Sequence, residues 1–252
     1  FNYTAYYDYL ISNYFNKLEK IEFPEYLTLG YRLKNQLRYG ENPHQKAAFY
    51  QRPNPSQSTI SMAKKLHGKE LSFNNINDGD AALNMVKEFD EPTIVAVKHT
   101  NPCGIGSGKD LLEAYKKAYE CDTESIYGGI IAANREIDAA VAEEISKIFI
   151  EVIIAPSFTE EALKILTKKK NIRLLEVGKL GGDKEELEFK HVSGGLLLQE
   201  KDMVQLLDSF EVVTDRRPTE EELEDLLFAW KAVKNAKSNG VVIAQDKGTI
   251  GI

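Results

Sequence analysis

The sequence predicts an α/β fold built on a sheet whose strands are covered on both faces. Residues 93–97 (TIVAV) form a continuous apolar, mostly β-branched run without polar alternation, which is typical of a strand buried on both sides. From Gly68 onward, segments of helical and of strand character alternate along the chain. The 252 residues are enough to bury a substantial core in one large or two modest domains.

The individual elements follow this alternation in order. Residues 78–89 have helical spacing and begin with Asp/Gly capping chemistry, and they lead into the strand at 93–97. Amphipathic spacing predicts further helices at 111–120, 139–149, 160–169 and 219–235. Short apolar runs predict further strands at 128–132, 151–156 and 173–177. The last helix opens with the capping box Thr219-Glu220-Glu221-Glu222. Residues 179–190 are polar and contain glycine, so we expect a surface connection.

The two ends suggest a piece of a longer protein. Residues 1–20 are rich in aromatic side chains and lack an initiator Met, as expected for a helix that packs on something absent. Residues 240–244 and 248–252 form a hairpin-like pair of apolar runs. A helix followed by an apolar strand occurs before Lys98 and again around 232–244, a weak internal echo that suggests two units of similar build.

Composition excludes several classes of protein. A formal net charge of -7 and a pI near 5.3 argue against a nucleic-acid surface, although a local basic pocket for a small anion remains compatible. No stretch approaches the length of a membrane span. Two cysteines, Cys103 and Cys121, are too few for a disulfide framework, and no secretory signal opens the chain. We therefore expect a cytosolic protein.

The junction after the strand at 93–97 is the first candidate site. Lys98 and His99 follow the apolar run directly, and Asn101-Pro102-Cys103-Gly104 is predicted to turn the chain there. Clefts in open parallel sheets lie outside the carboxyl ends of strands. A neighbouring ammonium disfavours protonation of an imidazole, so His99 is a candidate neutral base and Lys98 a cationic donor. The alternative is a solvated strand end.

Two further clusters carry polar groups suited to ligands. Residues 37–45 (LRYGENPHQ) place the planar fork of Arg38, which matches a phosphate, beside a turn; the alternative is a surface loop. Residues 71–80 (LSFNNINDGD) place amides and carboxylates before a helix, where they can contact a ligand or cap the helix. We expect one ligand contact there, from Asn75, and a structural role for Asp78.

His99 and Cys103 also raise the question of a zinc deaminase. That class needs a His-x-Glu and a Pro-Cys-x-x-Cys to complete its ligands. Here Thr100-Asn101 follows the histidine, and Pro102-Cys103 has no second Cys two residues further on. The sequence therefore predicts no zinc site.

Taken together, the chain resembles the bifunctional purine-biosynthesis enzymes that combine AICAR formyltransferase with IMP cyclohydrolase. The similarity runs nearly end to end, through Thr4-Ala5-x-x-Asp8, residues 37–45, Ser72-Phe73-Asn74-Asn75, residues 97–104, Tyr127-Gly128-Gly129, residues 152–156, Val192-Ser193-Gly194-Gly195-Leu196 and Lys237-Ser238-Asn239. The resemblance implies the cytidine-deaminase-like layered units of the formyltransferase domain, without zinc. It also implies three parts: residues 1–26 as the trailing helix and linker of the cyclohydrolase domain, 27–215 as the first formyltransferase unit and 216–252 as the start of the second.

The resemblance further implies the reaction and the residues that perform it. A formyl group would pass from the cosubstrate 10-formyltetrahydrofolate to the 5-amino group of AICAR, in a homodimer that binds neither nucleic acid nor membrane. The implied catalytic residues are His99 as general base, Lys98 as donor and Asn239 as hydrogen-bond donor to the formyl oxygen. The implied substrate-binding residues are Arg38, Tyr39, Asn75, Gly128 and Glu151, the last standing where family members elsewhere carry Asp. Monovalent-cation binding stays open.

Two other classes of function remain to be distinguished. The chain could be a non-catalytic interaction or dimerisation module whose polar corners are structural, or a zinc-dependent deaminase-like hydrolase. The resemblance also implies that cyclohydrolase activity is absent, and that this segment alone binds substrate weakly or turns over poorly.

Overall fold

The computed structural model describes residues 1–181, 187–202 and 211–252. These residues form two compact units, residues 1–55 and residues 56–252. The sequence-based division after residues 26 and 215 remains a prediction.

The first unit contains one helix and one hairpin. Helix α1 (Asn2–Leu18) confirms the predicted N-terminal helix, and none of its residues is buried. Strands β1 (Arg32–Leu37) and β2 (Ala47–Gln51) pair antiparallel, with Leu37 opposite Ala47. Residues 38–46 therefore form the loop that joins the two strands.

The second unit is built on an eight-stranded mixed sheet. Its strands, with the separate hairpin β9–β10, are β3 (Lys64–His67), β4 (Thr93–Lys98), β5 (Asn101–Ser107), β6 (Ile130–Ala133), β7 (Val152–Ala155), β8 (Arg173–Glu176), β9 (Leu187–Val192), β10 (Gly195–Glu200), β11 (Ile243–Gln245) and β12 (Gly248–Gly251). The strand order in the sheet is β11-β12-β5-β4-β6-β7-β8-β3. Only β6, β7 and β8 run parallel, and β4 is antiparallel to both neighbours. The rule for open parallel sheets, used above to place a cleft after residues 93–97, therefore does not apply to β4.

Helices cover both faces of this sheet. They are α2 (Phe73–Val86), α3 (Leu111–Cys121), α4 (Ala139–Ser146), α5 (Glu160–Leu166) and α6 (Glu220–Val233). Side chains of β4 alternate between two cores, because successive residues of a strand point to opposite faces. Ile94 and Ala96 pack with α3, α4 and α5, whereas Val95 and Val97 pack with α2 and α6. The α/β layer structure predicted from the sequence is confirmed.

Two local predictions need correction. Helix α2 begins at Phe73, not at residue 78, because Ser72 forms a capping box with Asn75 and satisfies the first turn earlier. Residues 101–104 belong to strand β5 and do not form a turn. Pro102 fits that strand because the pairing of β4 with β5 shifts register there, where no ladder hydrogen bond from its nitrogen is needed.

Two further regions complete the comparison with the predicted elements. The predicted surface connection at 179–190 lies partly outside the described residues, and its last four residues already belong to β9. The predicted hairpin near the C-terminus is confirmed by β11 and β12. Among the helices of the described ranges, none combines the length and apolar character required to cross a bilayer.

Candidate functional site

His99 lies in a two-residue turn that joins β4 to β5. Lys98 and Asn101 are paired across the hairpin, and His99 and Thr100 are the two residues between them. Both have positive φ angles, 55° and 62°, as the type I′ turn of a two-residue hairpin requires. The turn therefore holds the exposed His99 at the tip of a hairpin whose stem lies in the buried sheet.

The carboxylate of Asp78 holds this turn from helix α2. Its Oδ2 accepts a hydrogen bond from the His99 backbone N at 3.1 Å, and its Oδ1 accepts one from the Thr100 backbone N at 2.9 Å. The Thr100 hydroxyl and the Asn101 amide both donate to the His99 carbonyl, at 2.7 Å and 3.2 Å. Every backbone polar group of His99 is therefore bound by a neighbouring side chain.

Lys98 and His99 line one cavity of about 360 Å³. The cavity is lined by Lys98, His99, Asn101, Pro102, Cys103, Cys121, Asp122, Ser125, Gly251 and Ile252. The Lys98 ammonium donates to the Tyr127 carbonyl at 2.9 Å, which leaves two of its three N–H bonds for other acceptors. Hydrogen bonds from Ser125, together with the charge of Lys98, hold the pKa of Asp122 below its ordinary value. The cavity therefore combines an ammonium, a carboxylate and an imidazole.

Asn101 connects the His99 turn to the segment that contains Asn239. Its amide nitrogen donates to the His99 carbonyl, and its amide oxygen accepts from the backbone N of Lys237 at 3.4 Å. The peptide bond between Ser238 and Asn239 is cis, and Asn239 is exposed. Lys237 therefore lies beside the turn, and Asn239, the predicted donor to the formyl oxygen, is two residues further along the chain.

Asn75 and Glu151 form a second polar cluster within the same unit. The Asn75 amide donates to Glu151 Oε2 at 2.7 Å, and its oxygen accepts from the Ser72 backbone N at 3.2 Å. Arg173 Nη1 lies 3.6 Å from the same Glu151 oxygen, and the Nε of Arg173 is buried without a hydrogen-bond partner. Asn75 therefore caps helix α2 and binds Glu151. Its contact with a ligand remains a prediction.

Gly128 and Glu151 lie on neighbouring backbone segments. Gly128 has a φ of 73°, which favours glycine, and its N–H donates to the Phe149 carbonyl at 2.7 Å. The Glu151 N–H donates to the Gly129 carbonyl at 3.0 Å. These bonds bring Gly128 and Glu151 together at the start of β6 and β7.

Arg38 and Tyr39 belong to the first unit, where they follow β1. The Arg38 guanidinium lies 5.7 Å from the centre of the Tyr39 ring, a cation–π contact. The loop beyond them is closed by the Gly40 N–H, which donates to the Gln45 carbonyl at 2.8 Å. Their contact with a nucleotide beside His99 remains a prediction.

The sulfur atoms of the cavity are neutral thiols. Burial raises the pKa of Cys103 to about 12, with further contributions from Asp122 and Cys121, and burial also raises the pKa of Cys121. Within residues 1–181, 187–202 and 211–252, no three His, Cys, Asp or Glu side chains are arranged so that they could hold a metal ion.

Two residues of the site carry contacts that the sequence analysis did not anticipate. The structural role predicted for Asp78 did not include binding the His99 turn, because the turn was predicted at residues 101–104. Asn101 was predicted only as part of that turn and not as a link to Lys237. The dipeptide His99-Thr100 gives no local turn signal, since type I′ turns favour Asn, Asp and Gly. The contacts of Asp78 and Asn101 follow from the pairing of β4 with β5, which cannot be read from the sequence alone.

Comparison with known proteins gives a consistent result over the whole chain. The family described as "AICARFT/IMPCHase bienzyme" matches residues 1–252. The chain is 53% identical to the bifunctional purine biosynthesis protein PurH of Caldicellulosiruptor saccharolyticus and 55% identical to that of Acetivibrio thermocellus. It is 54% identical to the protein of the same name from Bacillus mycoides. Each match covers 100% of this chain and 50% of the relative, so the chain spans about half the length of the curated relatives it matches.

The match includes the hairpin with Lys98 and His99, the Asn75–Glu151 cluster and the segment around Asn239, since all of them lie within the matched range. On this evidence the chain belongs to the AICARFT/IMPCHase bienzyme family.

Proposed function

We propose that a protein carrying this chain transfers the formyl group of 10-formyltetrahydrofolate to the 5-amino group of AICAR in purine biosynthesis. The observation that supports this most directly is the placement of Lys98 and His99 along one cavity of about 360 Å³, beside the segment that contains Asn239. Membership of the family supplies the reaction. The deaminase-like arrangement of the layers, the homodimer and the cytosolic location are parts of the same proposal.

The chemistry required matches the side chains present. The AICAR amine is conjugated with its imidazole carboxamide and is a weak nucleophile, so its proton must leave as the new C–N bond forms. His99 takes that proton as general base. The bond between the formyl carbon and N10 of the folate then breaks, and N10 receives a proton from the imidazolium. The products are tetrahydrofolate and formyl-AICAR, with His99 returned to its neutral form.

Charge develops on the formyl oxygen during the attack. Lys98 has N–H bonds beyond the one given to Tyr127, and we assign one of them to this oxygen. Asn239 donates the second hydrogen bond. Arg38 and Tyr39 bind the phosphate and ribose side, and Asn75 binds the carboxamide. The backbone at Gly128, with Glu151, binds the remainder of the nucleotide. No residue of 27–252 is assigned to cyclohydrolase chemistry.

The first experiment replaces the proposed catalytic pair and a matched pair elsewhere. Residues 190 and 191 are also Lys-His, on the exposed strand β9. In a protein of the length of the curated relatives, His99→Ala and Lys98→Ala each lower the rate of formyl transfer by at least ~10²-fold. His191→Ala and Lys190→Ala stay within about twofold of wild type.

The alternative functions give different results in the same assay. Unchanged activity in His99→Ala and Lys98→Ala would support a non-catalytic interaction or dimerisation module. Stoichiometric zinc in the purified protein, lost in Cys103→Ala, would support a deaminase-like hydrolase.

A second experiment concerns the length of the chain. We expect residues 1–252 alone to turn over at least ~10-fold more slowly than a protein of the relatives' length, because correct placement of both substrates governs the rate. Equal rates would contradict this expectation.

A further inference from the structure

The second unit contains the same turn twice. Helix α2 has a capping box at Ser72 and is followed by the β4–β5 hairpin, and helix α6 has a capping box at Thr219 and is followed by the β11–β12 hairpin. Asp225 of α6 accepts hydrogen bonds from the backbone N atoms of Asp246 and Lys247, at 2.9 Å and 2.7 Å. These two residues also have positive φ angles, 51° and 55°.

The two turns are equivalent position by position. Asp78 and Asp225 each lie six residues after the N-cap of their helix, and each binds backbone groups 21 and 22 residues further along. A constant offset of 147 residues relates the two sets, from 78 to 225 and from 99 to 246. The equivalent of the His99 turn is therefore the Asp246–Lys247 turn.

The first turn is conformationally the more demanding one. Thr100 is β-branched, and a β-branched residue at φ 62° is disfavoured because its side chain crowds the backbone. Such conformations persist only where the surroundings hold them. The Asp78 carboxylate is suited to this, since hydrogen bonds to a charged acceptor are about twice as strong as neutral ones.

Within the described residues, the second turn has further contacts from outside its hairpin that the first turn lacks. Lys117 donates to the Asp246 carbonyl at 2.7 Å, and the Ser107 N–H donates to the Lys247 carbonyl at 2.8 Å. The Lys247 ammonium pairs with Glu91 and with Glu224. The first turn is held from outside the hairpin by Asp78, through two bonds directed at His99 and its neighbour.

We propose that Asp78 is a positioning residue for His99: by binding the two N–H groups of the turn, it fixes the direction of the imidazole toward the cavity. The proposal rests on the formyl-transfer function proposed above. Asp225 is the matched control, because it has the same contacts with a turn that carries no histidine.

The experiment compares Asp78→Ala and Asp78→Asn with Asp225→Ala, in a protein of the length of the curated relatives. We expect Asp78→Ala to lower kcat by ~10- to ~100-fold with KM for AICAR within about threefold, because a misplaced base costs rate more than binding. Asp78→Asn keeps one acceptor oxygen, so its kcat is expected to lie between those of Asp78→Ala and wild type. Asp225→Ala stays within about twofold of wild type. Equal kcat values for the Asp78 and Asp225 variants would overturn the proposal.

A second-site change separates positioning from loss of folding. Glycine adopts positive φ without strain, so Thr100→Gly should let the turn form without its carboxylate. In the Asp78→Ala background, Thr100→Gly is expected to restore kcat by at least ~5-fold, whereas a purely structural role for Asp78 predicts no recovery of kcat in the folded variant.

Hydrogen exchange of the turn amides gives a readout that needs no activity. Exchange at residues 99–100 accelerates in Asp78→Ala and not in Asp225→Ala, which accelerates exchange at 246–247 instead. Unaltered exchange in Asp78→Ala would overturn the proposal at the level of the contact. If the wild-type protein has no formyl-transfer activity but the exchange rates change as expected, the proposed function is refuted, whereas the contact of Asp78 with the turn stands.

Discussion

The amide of Asn75 donates to Glu151 Oε2 at 2.7 Å while its backbone N–H and its amide oxygen complete the capping box with Ser72. One buried side chain thus joins the start of α2 to the segment before β7, where Arg173 also approaches the Glu151 carboxylate. Ser72 takes part in the same capping box but has no proposed ligand contact. Substitutions of Ser72 and of Asn75 therefore separate the structural role of Asn75 from its proposed ligand-binding role.

Asn75→Ala is expected to lower the free energy of unfolding by ~1–2 kcal/mol, because it removes a helix cap and a hydrogen bond to a carboxylate. Ser72→Ala, which removes the cap alone, costs ~1 kcal/mol. If Asn75 also binds the nucleotide, KM for AICAR rises in Asn75→Ala and not in Ser72→Ala. Urea unfolding and steady-state kinetics measure the two quantities, and equal KM values would contradict the ligand contact.

Gly104→Ala is expected to destabilise the protein by ~3 kcal/mol. A Cβ at this position would overlap the carbonyl oxygen of Ala118, so helix α3 would have to move away from β5. Gly251 occupies the equivalent position of the second hairpin and has no atom within 4 Å of a built Cβ. Gly251→Ala therefore changes the unfolding free energy by less than ~0.5 kcal/mol, and similar losses for both variants would refute the close packing of α3 on β5.

Cys103 is expected to make the protein less stable at high pH. Its folded-state pKa is raised to about 12 from an ordinary value of 9.0, chiefly by burial. The stabilisation from a neutral buried thiol is therefore complete below pH 9 and is lost as the pH rises toward 12. Relative to Cys103→Ala, wild type should lose up to ~1.4 kcal/mol per pH unit in this window. Parallel unfolding free energies from pH 8 to 11 would contradict the buried thiol.

Asn134 is expected to be among the most sensitive polar positions of the second unit. It is 5% exposed, its oxygen accepts from the Thr93 N–H, and its amide donates to the carbonyls of Phe89 and Glu91. Asn134→Ala removes the partner of the Thr93 N–H and of the Phe89 carbonyl, whereas the Glu91 carbonyl keeps its bond from the Thr93 hydroxyl at 2.9 Å. The substitution should cost ~3 kcal/mol or more. Asn77→Ala, at an exposed position of α2, is the control and should cost less than ~0.5 kcal/mol in urea unfolding. A loss below 1 kcal/mol for Asn134→Ala would contradict the assigned hydrogen bonds.

The sequence allowed the layer structure to be predicted because the buried strands have continuous apolar runs and the helices have clear amphipathic spacing. The strand predicted at 93–97 and the helix predicted at 111–120 are each within one residue of the observed element. Sheet direction was not predictable in this way. A buried antiparallel strand such as β4 has the same apolar composition as a buried parallel one, since burial on both faces sets the composition.

The sequence predicted residues of the candidate site better than it predicted how they are arranged. The cavity contains both Lys98 and His99. The position of the turn was missed because Asn-Pro-x-Gly is a strong turn signal, whereas the His-Thr turn depends on a carboxylate from another element. Long-range contacts of this kind leave no mark in the local sequence.

The pairing of β12 with β5 has a consequence for how this chain can acquire new properties. Because these strands are antiparallel, the Asp246–Lys247 corner lies at the far end of β5 from the histidine corner, about 20 Å away for a strand of this length. Residues 246 and 247 therefore form a second turn that is held by an aspartate in the same way, and substitutions there lie far from His99. A protein engineer can place a new reactive group there and leave the first corner intact.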